Sequence, residues 1–464
     1  MTTTRRLAAL TLSALVTSLC AVSTVHAVDG MATLPQASHH KVEHHMLGRA
    51  PQPATSNGKG SLIYRGGVHG IGVTTGTPQV YLVFWGAGWG TASTTGGDVT
   101  LSGDTKGVAP VLQEFFRGLG TNGELWSGVL SQYCEGVATG STTCSASAPH
   151  VGYPTGGALA GVWVDPSTTA ITTAGSTATS PVDHDIAAEA VLAAAHFGNT
   201  TAASNRSVQY VIVSPTGTHP GGFNTPTAGW CAWHDFNGDT TLIGGAAASA
   251  YGDIAFTNLP YIPDLGASCG ANYVNASGGT SNFGKGGALD GVTIVEGHEY
   301  AETVTDQNPA GGWTDSTGYE NGDKCAWVGV GGTGGAQNVA LSTGSFAVQG
   351  TWSNDGAACL VAHAVVTTAN YDFTLTASPA SITVPAGGSA TVSIGTSVVS
   401  GTVPTITLTT SAAPAGTVFT LGASSVAAGS GTTLTIANKT ATTGSYTITV
   451  TGTASGVVHT AAVT

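Results

Sequence analysis

Charged side chains, and basic ones above all, are scarce in this chain. Only 12 of its 464 residues are lysine or arginine, against 25 aspartate and glutamate residues, and the formal net charge is -13. A nucleic-acid-binding protein needs a basic surface to replace the counterions of the phosphates, so this composition argues against such a partner. No long uninterrupted apolar run follows the N-terminal segment, which argues against a membrane span.

The N-terminus has the pattern of a secretory signal. Arg5 and Arg6 provide a positive start, residues 7–22 are apolar, and Val25-His26-Ala27 is an acceptable cleavage site. We therefore expect residues 1–27 to be a signal peptide and the protein to be secreted. Residues 28–60 contain four histidines and three prolines. They are interpreted as a leader or propeptide-like linker, with a metal-binding or pH-sensing histidine cluster as the alternative.

Six cysteines remain once the signal is set aside: Cys134, Cys144, Cys231, Cys269, Cys325 and Cys359. An even number in an exported chain indicates disulfides, and no C-x-x-C pair suggests a cysteine metal site. Sequence alone leaves fifteen pairings open. We adopt the sequential one, which joins 134 to 144, 231 to 269 and 325 to 359.

The central region alternates apolar runs with helical patterns. The runs Gln79–Trp85 and Ser207–Val213 are typical of buried strands, whereas 108–119, 183–197 and 289–303 have helical spacing. The last of these helices starts at Asp290, the expected cap. This alternation predicts an α/β fold for residues 61–370, a zincin-like or related three-layer catalytic domain.

The composition changes abruptly after Asn370. Residues 371–464 contain no cysteine and only two charged residues, Asp372 and Lys439. Period-2 alternation recurs between glycine- and proline-containing breaks. The pattern predicts an all-β immunoglobulin-like sandwich that serves as a spacer or adhesion module.

The most informative segment is Glu296–Asp306, which contains His-Glu-x-x-Glu. On a helix, His298 and Glu302 lie on one face, four residues apart, and both can reach one metal ion. Glu299 lies beside them, where it can act as general base on a metal-activated water. The segment thus predicts a catalytic Zn²⁺ site, and the competing interpretation is a solvated acidic helix without a metal.

A catalytic zinc needs a third protein ligand from outside this pair. Glu320 is the preferred candidate, since its distance along the chain resembles that of the downstream glutamate in one large zinc-peptidase class. Asp306 is a further candidate if the helix ends before it, and Asp323 or Asp306 could instead support the ligands. Tyr319 is predicted to polarise the substrate carbonyl, with Tyr300 as the alternative.

Two weaker patterns point to other chemistry. Asp235-Phe-Asn-Gly-Asp239 has the rhythm of a calcium loop, but it lacks the glycine at the sixth position and an obvious bidentate glutamate. A turn is the favoured interpretation, and Ca²⁺ is the alternative. Gly279-Thr-Ser281 faintly resembles the nucleophile segment of subtilisin-like serine peptidases, without the accompanying Asp and His motifs.

Several segments together resemble the EXORDIUM, or phosphate-induced protein, family. They are Ser61–Val68, Val80–Gly86, Gly221–His234, Gly297–Asp306, Trp313–Asp315, Glu320–Cys325 and Gln349–Asn354 with Cys359. The resemblance covers about residues 60–370. One departure is that Gln307-Asn308-Pro309 follows Asp306, where the family often has Asp-Pro.

The resemblance implies a secreted protein more firmly than it implies an activity. Plant members are cell-wall proteins linked to growth, and bacterial members are described as secreted or metallopeptidase-like. Two functions are therefore expected. One is a zinc metallopeptidase acting on a protein or peptide. The alternative is a non-catalytic wall- or matrix-binding protein that contacts cell-wall polysaccharide.

Overall fold

A computed structural model of the chain describes residues 45–48, 60–226, 229–368, 371–454 and 457–464. The predicted signal peptide and most of the 28–60 segment lie outside these residues. Across the described ranges, no helix combines the length and apolar character needed to cross a membrane.

The helices of the described residues are α1 (Val108–Gly118), α2 (Trp126–Leu130), α3 (Asp183–His196), α4 (Ala202–Asn205), α5 (Ser281–Gly284) and α6 (Asp290–Thr305). The strands up to residue 360 are β1 (His45–Leu47), β2 (Ile63–Tyr64), β3 (Gln79–Trp85), β4 (Ala92–Thr95), β5 (Asp98–Leu101), β6 (Leu159–Asp165), β7 (Val208–Val213), β8 (Trp230–Phe236), β9 (Ala255–Leu259), β10 (Trp313–Thr314), β11 (Gln337–Leu341), β12 (Gly344–Val348), β13 (Thr351–Ser353) and β14 (Ala358–Leu360).

The main sheet has six strands in the order β1-β8-β9-β7-β3-β6. Strand β3 runs parallel to β6 and β7, and β7 runs parallel to β9, whereas β8 and β1 are antiparallel additions at one side. Alternate residues of β3 enter different cores: Leu82 and Phe84 pack with residues of α1 and α6, and Val83 packs with the alanines of α3. The sheet therefore separates two hydrophobic cores, and α6 lies in the larger one.

The predicted three-layer α/β catalytic domain is wrong. Only 18% of the described residues are helical, and within the same ranges the strands are spread over seven sheets, four of them two-stranded. Glycine- and proline-rich segments such as 214–226 and 260–280 form turns and short 3-10 helices, so strands and helices do not alternate regularly. The individual strand Gln79–Trp85 and helix Asp183–His196 match their predicted positions closely.

All three disulfides form in the sequential pairing, and that prediction is confirmed. The bonds join Cys134 to Cys144, Cys231 to Cys269 and Cys325 to Cys359. Structural disulfides are typical of proteins outside the reducing cytoplasm, and this is consistent with an extracellular protein. Two of the bonds border the centre described below, because Cys231 is the second residue of β8 and Cys325 ends the Glu320–Cys325 loop.

The C-terminal part is all-β, as the alternation predicts. Its strands are β15 (Asp372–Ser378), β16 (Ser389–Ser400), β17 (Ile406–Thr410), β18 (Thr417–Leu421), β19 (Ser425–Val426), β20 (Gly431–Asn438), β21 (Ile448–Ala454) and β22 (Val457–Val463). They form two four-stranded sheets, β15-β16-β20-β18 and β19-β17-β21-β22. Every pairing is antiparallel, and the inward-facing residues of both sheets share one core.

Asp290 has a different task from the predicted helix cap. Its carboxylate accepts hydrogen bonds from the backbone N–H groups of Val274 and Asn275 and from the side-chain amides of Asn275 and Asn282. It thereby fixes the loop that precedes α6. The structure records no side-chain cap at the start of this helix.

Candidate metal centre

Helix α6 is buried along its whole length, including its acidic residues. Helix geometry brings His298 Nε2 to 3.1 Å from Glu302 Oε1, and neither side chain is exposed to solvent. Ionisable groups in an apolar interior are costly unless they are paired or bind a metal. The arrangement of α6 therefore calls for a partner cation.

The hydrogen bonds of Gln349 fix the orientation of the His298 ring. The Gln349 amide Nε2 donates to the carbonyl of Gly322 at 2.8 Å, so its Oε1 is the atom that lies 3.3 Å from His298 Nδ1. An amide oxygen only accepts, and His298 Nδ1 must therefore carry the proton. The lone pair of Nε2 then points away from Gln349 and is available to a metal.

The Glu320–Cys325 loop brings a second carboxylate against the helix. Asp323 Oδ1 lies 3.7 Å from His298 Nε2, and the Asp323 backbone N–H donates to Glu302 Oε1 at 2.8 Å. Asn321 anchors the loop by donating to the Ala301 carbonyl and to Thr305 Oγ1. The following Cys325 is tied to Cys359.

Only glycine fits at position 322 of this loop. A Cβ atom there would lie 2.9 Å from both Glu302 Oε1 and His298 Nδ1. The backbone of residue 322 thus lies directly against the two predicted ligands. Its close approach places Asp323 on the same side of the helix as they are.

His234 joins the centre from β8, where every residue is buried. Its Nε2 atom lies 3.3 Å from Glu320 Oε2 and 3.6 Å from Glu302 Oε2. Sequence reasoning did not predict this residue as a ligand. The available signal was a histidine in an apolar strand, since a buried imidazole needs a polar partner.

The side chains form two overlapping groups that could each hold a metal ion. One consists of His298, Glu302 and Asp323, and the other of His234, Glu299 and Glu302; within each group the ligand atoms lie within 4.8 Å of one another. Ligand atoms about 2.1 Å from a tetrahedral zinc are about 3.4 Å apart. The four histidine–carboxylate separations, 3.1, 3.3, 3.6 and 3.7 Å, lie around that value.

Hydrogen bonding accounts for only part of these contacts, namely that between His234 Nε2 and Glu320 Oε2 at 3.3 Å. His298 Nε2, Glu302 Oε2 and both carboxylate oxygens of Glu299 are buried without a hydrogen-bond partner in the part of the chain that the structure describes. Buried polar atoms are nearly always satisfied in folded proteins. Nitrogen and oxygen atoms that lie close together and take part in no hydrogen bond fit the coordination of a cation.

The centre is rich in carboxyl groups. Burial raises the pKa of Glu299 well above its ordinary value, and the neighbouring carboxylates of Glu302, Glu296, Asp323 and Glu320 raise it further. Burial likewise raises the pKa values of Glu302 and Asp323, with repulsion between carboxylates as the next cause. The protein's own groups thus leave the charged forms of these carboxylates unfavourable.

The nearby Lys324 does not provide the balancing charge for the centre. Its ammonium lies 3.3 Å from Asp315 Oδ2 and 4.3 Å from the centre of the Trp352 ring, and its side chain is buried. These contacts pair the Lys324 ammonium with Asp315, which belongs to neither ligand group.

The other predicted site residues lie in different surroundings. The Asp306 carboxylate accepts hydrogen bonds from the backbone N–H groups of residues 310–312, where it fixes the turn after α6, and it belongs to neither ligand group. Tyr300 packs against Phe116 and Trp126 in the aromatic core. Tyr319 is half-buried next to Glu320, and its backbone N–H donates to Asp315.

Asp235 and Phe236 end β8, and Asn237 and Gly238 form the turn that follows. Both polar atoms of the Asn237 side chain are engaged, Nδ2 with the Ala247 carbonyl and Oδ1 with the Ile254 N–H. Asp239 Oδ1 accepts from the Thr241 N–H. Neither Asp235 nor Asp239 belongs to a potential metal-binding group found among the described residues.

Comparison with known proteins identifies no family. No family of known proteins matches the chain, and no curated protein matches it. Among solved structures, the S-layer protein SbsC domains 4 and 5 is similar at 17% identity, over 21% of this chain and 55% of that chain, with a TM-score of 0.16. Domains 1–6 of surface layer protein SbsC are similar at 16% identity, over 21% of this chain and 14% of that chain, with the same TM-score.

The chain thus spans about half the length of the first of these structures and a smaller part of the second. A likeness of this extent does not bear on the metal centre. The chemistry of the centre is therefore argued from its own side chains.

Proposed function

We propose that the protein is a secreted metal-dependent hydrolase of the metallopeptidase kind. A zinc ion is held by His298 Nε2, Glu302 and Asp323, and Glu299 is the general base. Three protein ligands leave the fourth position of a tetrahedral zinc open, which is the arrangement of catalytic zinc sites. Export is supported by the disulfides and the N-terminal pattern, and a peptide substrate by the His-Glu-x-x-Glu segment.

The observation that carries this proposal is the state of Glu299. Its carboxylate is fully buried one residue from His298 and shares a ligand group with His234 and Glu302. Glu296 is equally buried and equally without a hydrogen-bond partner among the described residues, but it belongs to neither ligand group. A general base needs an acceptor oxygen beside the water that the metal activates.

The chemistry divides between the cation and the protein. A bound zinc ion supplies the Lewis acidity that makes water a nucleophile near neutral pH. Glu299 accepts the proton of that water and then returns it to the leaving amine as the peptide bond breaks. Gln349 keeps the His298 ring in the tautomer that presents Nε2. The surrounding apolar core excludes bulk water and strengthens these electrostatic interactions.

Substitution of Glu299 by glutamine tests the proposal. The variant should still bind zinc through His298, Glu302 and Asp323 and lose the hydrolysis of an unfolded protein substrate by a factor of about 100 or more, on the order of general-base effects. The matched control is Glu296→Gln, because Glu296 is equally buried, also lacks a hydrogen-bond partner among the described residues and lies one turn away on α6. The control should keep both zinc and activity.

Two results would contradict the proposal. One is purified secreted protein that contains no stoichiometric metal. The other is hydrolysis that survives in Glu299→Gln or that chelation does not inhibit.

A non-catalytic extracellular binding protein with a structural metal is the second candidate. It is favoured by the burial of the centre, where His298, Glu299 and Glu302 are 0% exposed and Asp323 is 7% exposed, and by the all-β C-terminal part. Under this function, binding to insoluble cell-wall polysaccharide is retained in Glu299→Gln, and removal of the metal lowers thermal stability without loss of any hydrolytic activity.

A further inference from the structure

We propose that the centre is dinuclear, with Glu302 as the bridging ligand between two divalent cations. The inference rests on the proposed metal-dependent function and extends its centre from one cation to two. The first cation is the one held by His298, Glu302 and Asp323. The second is held by His234, Glu299 and the other oxygen of Glu302, with Glu320 as an additional ligand.

The two oxygens of Glu302 have different neighbours. Oε1 is the atom 3.1 Å from His298 Nε2, and Oε2 is the atom 3.6 Å from His234 Nε2. Oε2 has no hydrogen-bond partner in the described residues. One carboxylate between two imidazoles, each near a different oxygen, is the geometry of a bridging ligand.

Both sets of ligands draw on α6 and the Glu320–Cys325 loop, and the second set adds a histidine from the main sheet. His298 and Asp323 come from α6 and the Glu320–Cys325 loop, whereas His234 comes from β8 of the main sheet. Glu320 Oε2 lies 3.3 Å from His234 Nε2. A single cation bound by His298 and Asp323 would leave the His234–Glu320 pair outside its coordination sphere.

Charge balance gives an independent argument. Four carboxylates, those of Glu299, Glu302, Glu320 and Asp323, meet at the centre and are buried. One divalent cation leaves two negative charges uncompensated in the protein interior, whereas two divalent cations neutralise all four. Uncompensated buried charge is among the costliest features that a fold can contain.

Protonation of the carboxylates is a weaker explanation of this balance. A protonated carboxyl group must donate its O–H to an acceptor when it is buried. Glu299 contacts no such acceptor in the part of the chain that is described, since both its oxygens lack a hydrogen-bond partner. A cation satisfies the same oxygens without a donor.

The ligand set indicates the metals that would bind. Imidazole nitrogen and carboxylate oxygen suit Zn²⁺ and Mn²⁺, and no sulfur ligand favours a softer metal because the six cysteines after the signal are disulfide-bonded. In two-metal hydrolases the ions lie about 3.5–4 Å apart. Glu299 offers one oxygen to the second cation, and its other oxygen remains for the proton transfer of the proposed hydrolysis.

Metal analysis of the full-length secreted protein tests the dinuclear centre. After chelator treatment, reconstitution with Zn²⁺ and gel filtration, the wild-type protein should retain two zinc ions per chain, and His234→Ala and Asp323→Ala should each retain one. The matched control is His150→Ala. His150 is also buried, but its ring nitrogens contact the carbonyls of Ser131 and Ser145, so this variant should keep two.

A spectroscopic measurement needs no variant. Wild-type protein loaded with two equivalents of Mn²⁺ should give the electron paramagnetic resonance spectrum of a spin-coupled pair, and the signal of an isolated ion should appear only below two equivalents. An uncoupled spectrum at two equivalents would overturn the proposal.

The outcomes separate this inference from the proposed function. Retention of one zinc ion at saturation, with hydrolysis present, overturns the dinuclear centre and leaves the hydrolase standing. Two zinc ions without hydrolysis support the dinuclear centre and contradict the hydrolase. The absence of any retained metal overturns both.

Discussion

Replacement of Gln349 by methionine should weaken metal binding without changing any ligand. Gln349 accepts from His298 Nδ1 and donates to the Gly322 carbonyl, so one amide holds both the histidine ring and the loop that contains Asp323. Methionine has a similar length and volume but cannot donate, and its sulfur is a weak acceptor. The His298 ring then loses the contact that fixes its tautomer.

The magnitude follows from the two contacts. Loss of a partner to a metal-bound histidine typically costs a factor of 10–100 in metal affinity, which is about 1.4–2.7 kcal/mol. Loss of the donor to the buried Gly322 carbonyl should lower the stability of the metal-free protein by about 1–3 kcal/mol. The two effects can be measured separately, by competition with a chromophoric chelator and by urea unfolding without metal.

A control distinguishes loss of a buried amide from loss of ring orientation. Gln113 on α1 is equally buried, and its amide bonds only to the backbone of Val99 and Ala109. Gln113→Met should therefore lose stability and keep its metal affinity. Equal affinities in Gln349→Met and the wild-type protein, or equal losses in the two variants, would refute the reasoning.

Two other substitutions test the surroundings of the centre and the opposite core. Gly322→Ala places a Cβ against Glu302 and His298, so overpacking should lower the free energy of unfolding by about 1–3 kcal/mol. Metal affinity should also fall at least about tenfold, as for loss of a supporting contact. An unchanged chelator titration would contradict this expectation. Burial and the neighbouring Asp165 raise the pKa of Glu189 to about 9, so the folded protein holds this proton more tightly than the unfolded chain does. Its contribution to stability is complete below the unfolded pKa and is lost as pH rises towards 9, by up to about 1.4 kcal/mol per pH unit. In urea unfolding, the free energy of unfolding of Glu189→Gln should depend less on pH between pH 5 and 9 than that of the wild-type protein. Parallel curves for the two proteins would contradict this assignment to Glu189.

Local patterns in the sequence predicted the features that depend on neighbouring residues. The period of a helix places His298 and Glu302 on one face, and the structure has them 3.1 Å apart. The sequential disulfides and the buried strand Gln79–Trp85 are of the same kind. Each needs only the spacing of residues near one another in the chain.

The rest of the centre depends on contacts that spacing does not determine. His234 reaches α6 only because β8 adds to the main sheet beside β9. Asp323 was predicted as a supporting residue and Glu320 as the third ligand, but the side that each side chain faces is decided by the close approach of Gly322 to the helix. The three predicted helices form, but long irregular segments and small antiparallel sheets lie between the predicted elements, so the expected regular α/β alternation does not arise.

The positions of two disulfides set an order for the maturation of the centre. Cys231 lies three residues before His234, and Cys325 lies two residues after Asp323. The ligands come from three distant segments, and these cross-links hold two of them in place before any ion arrives. Under the proposed function, oxidation of these cysteines would precede metal binding, and a chain with reduced cysteines would hold its ions less tightly than the oxidised chain.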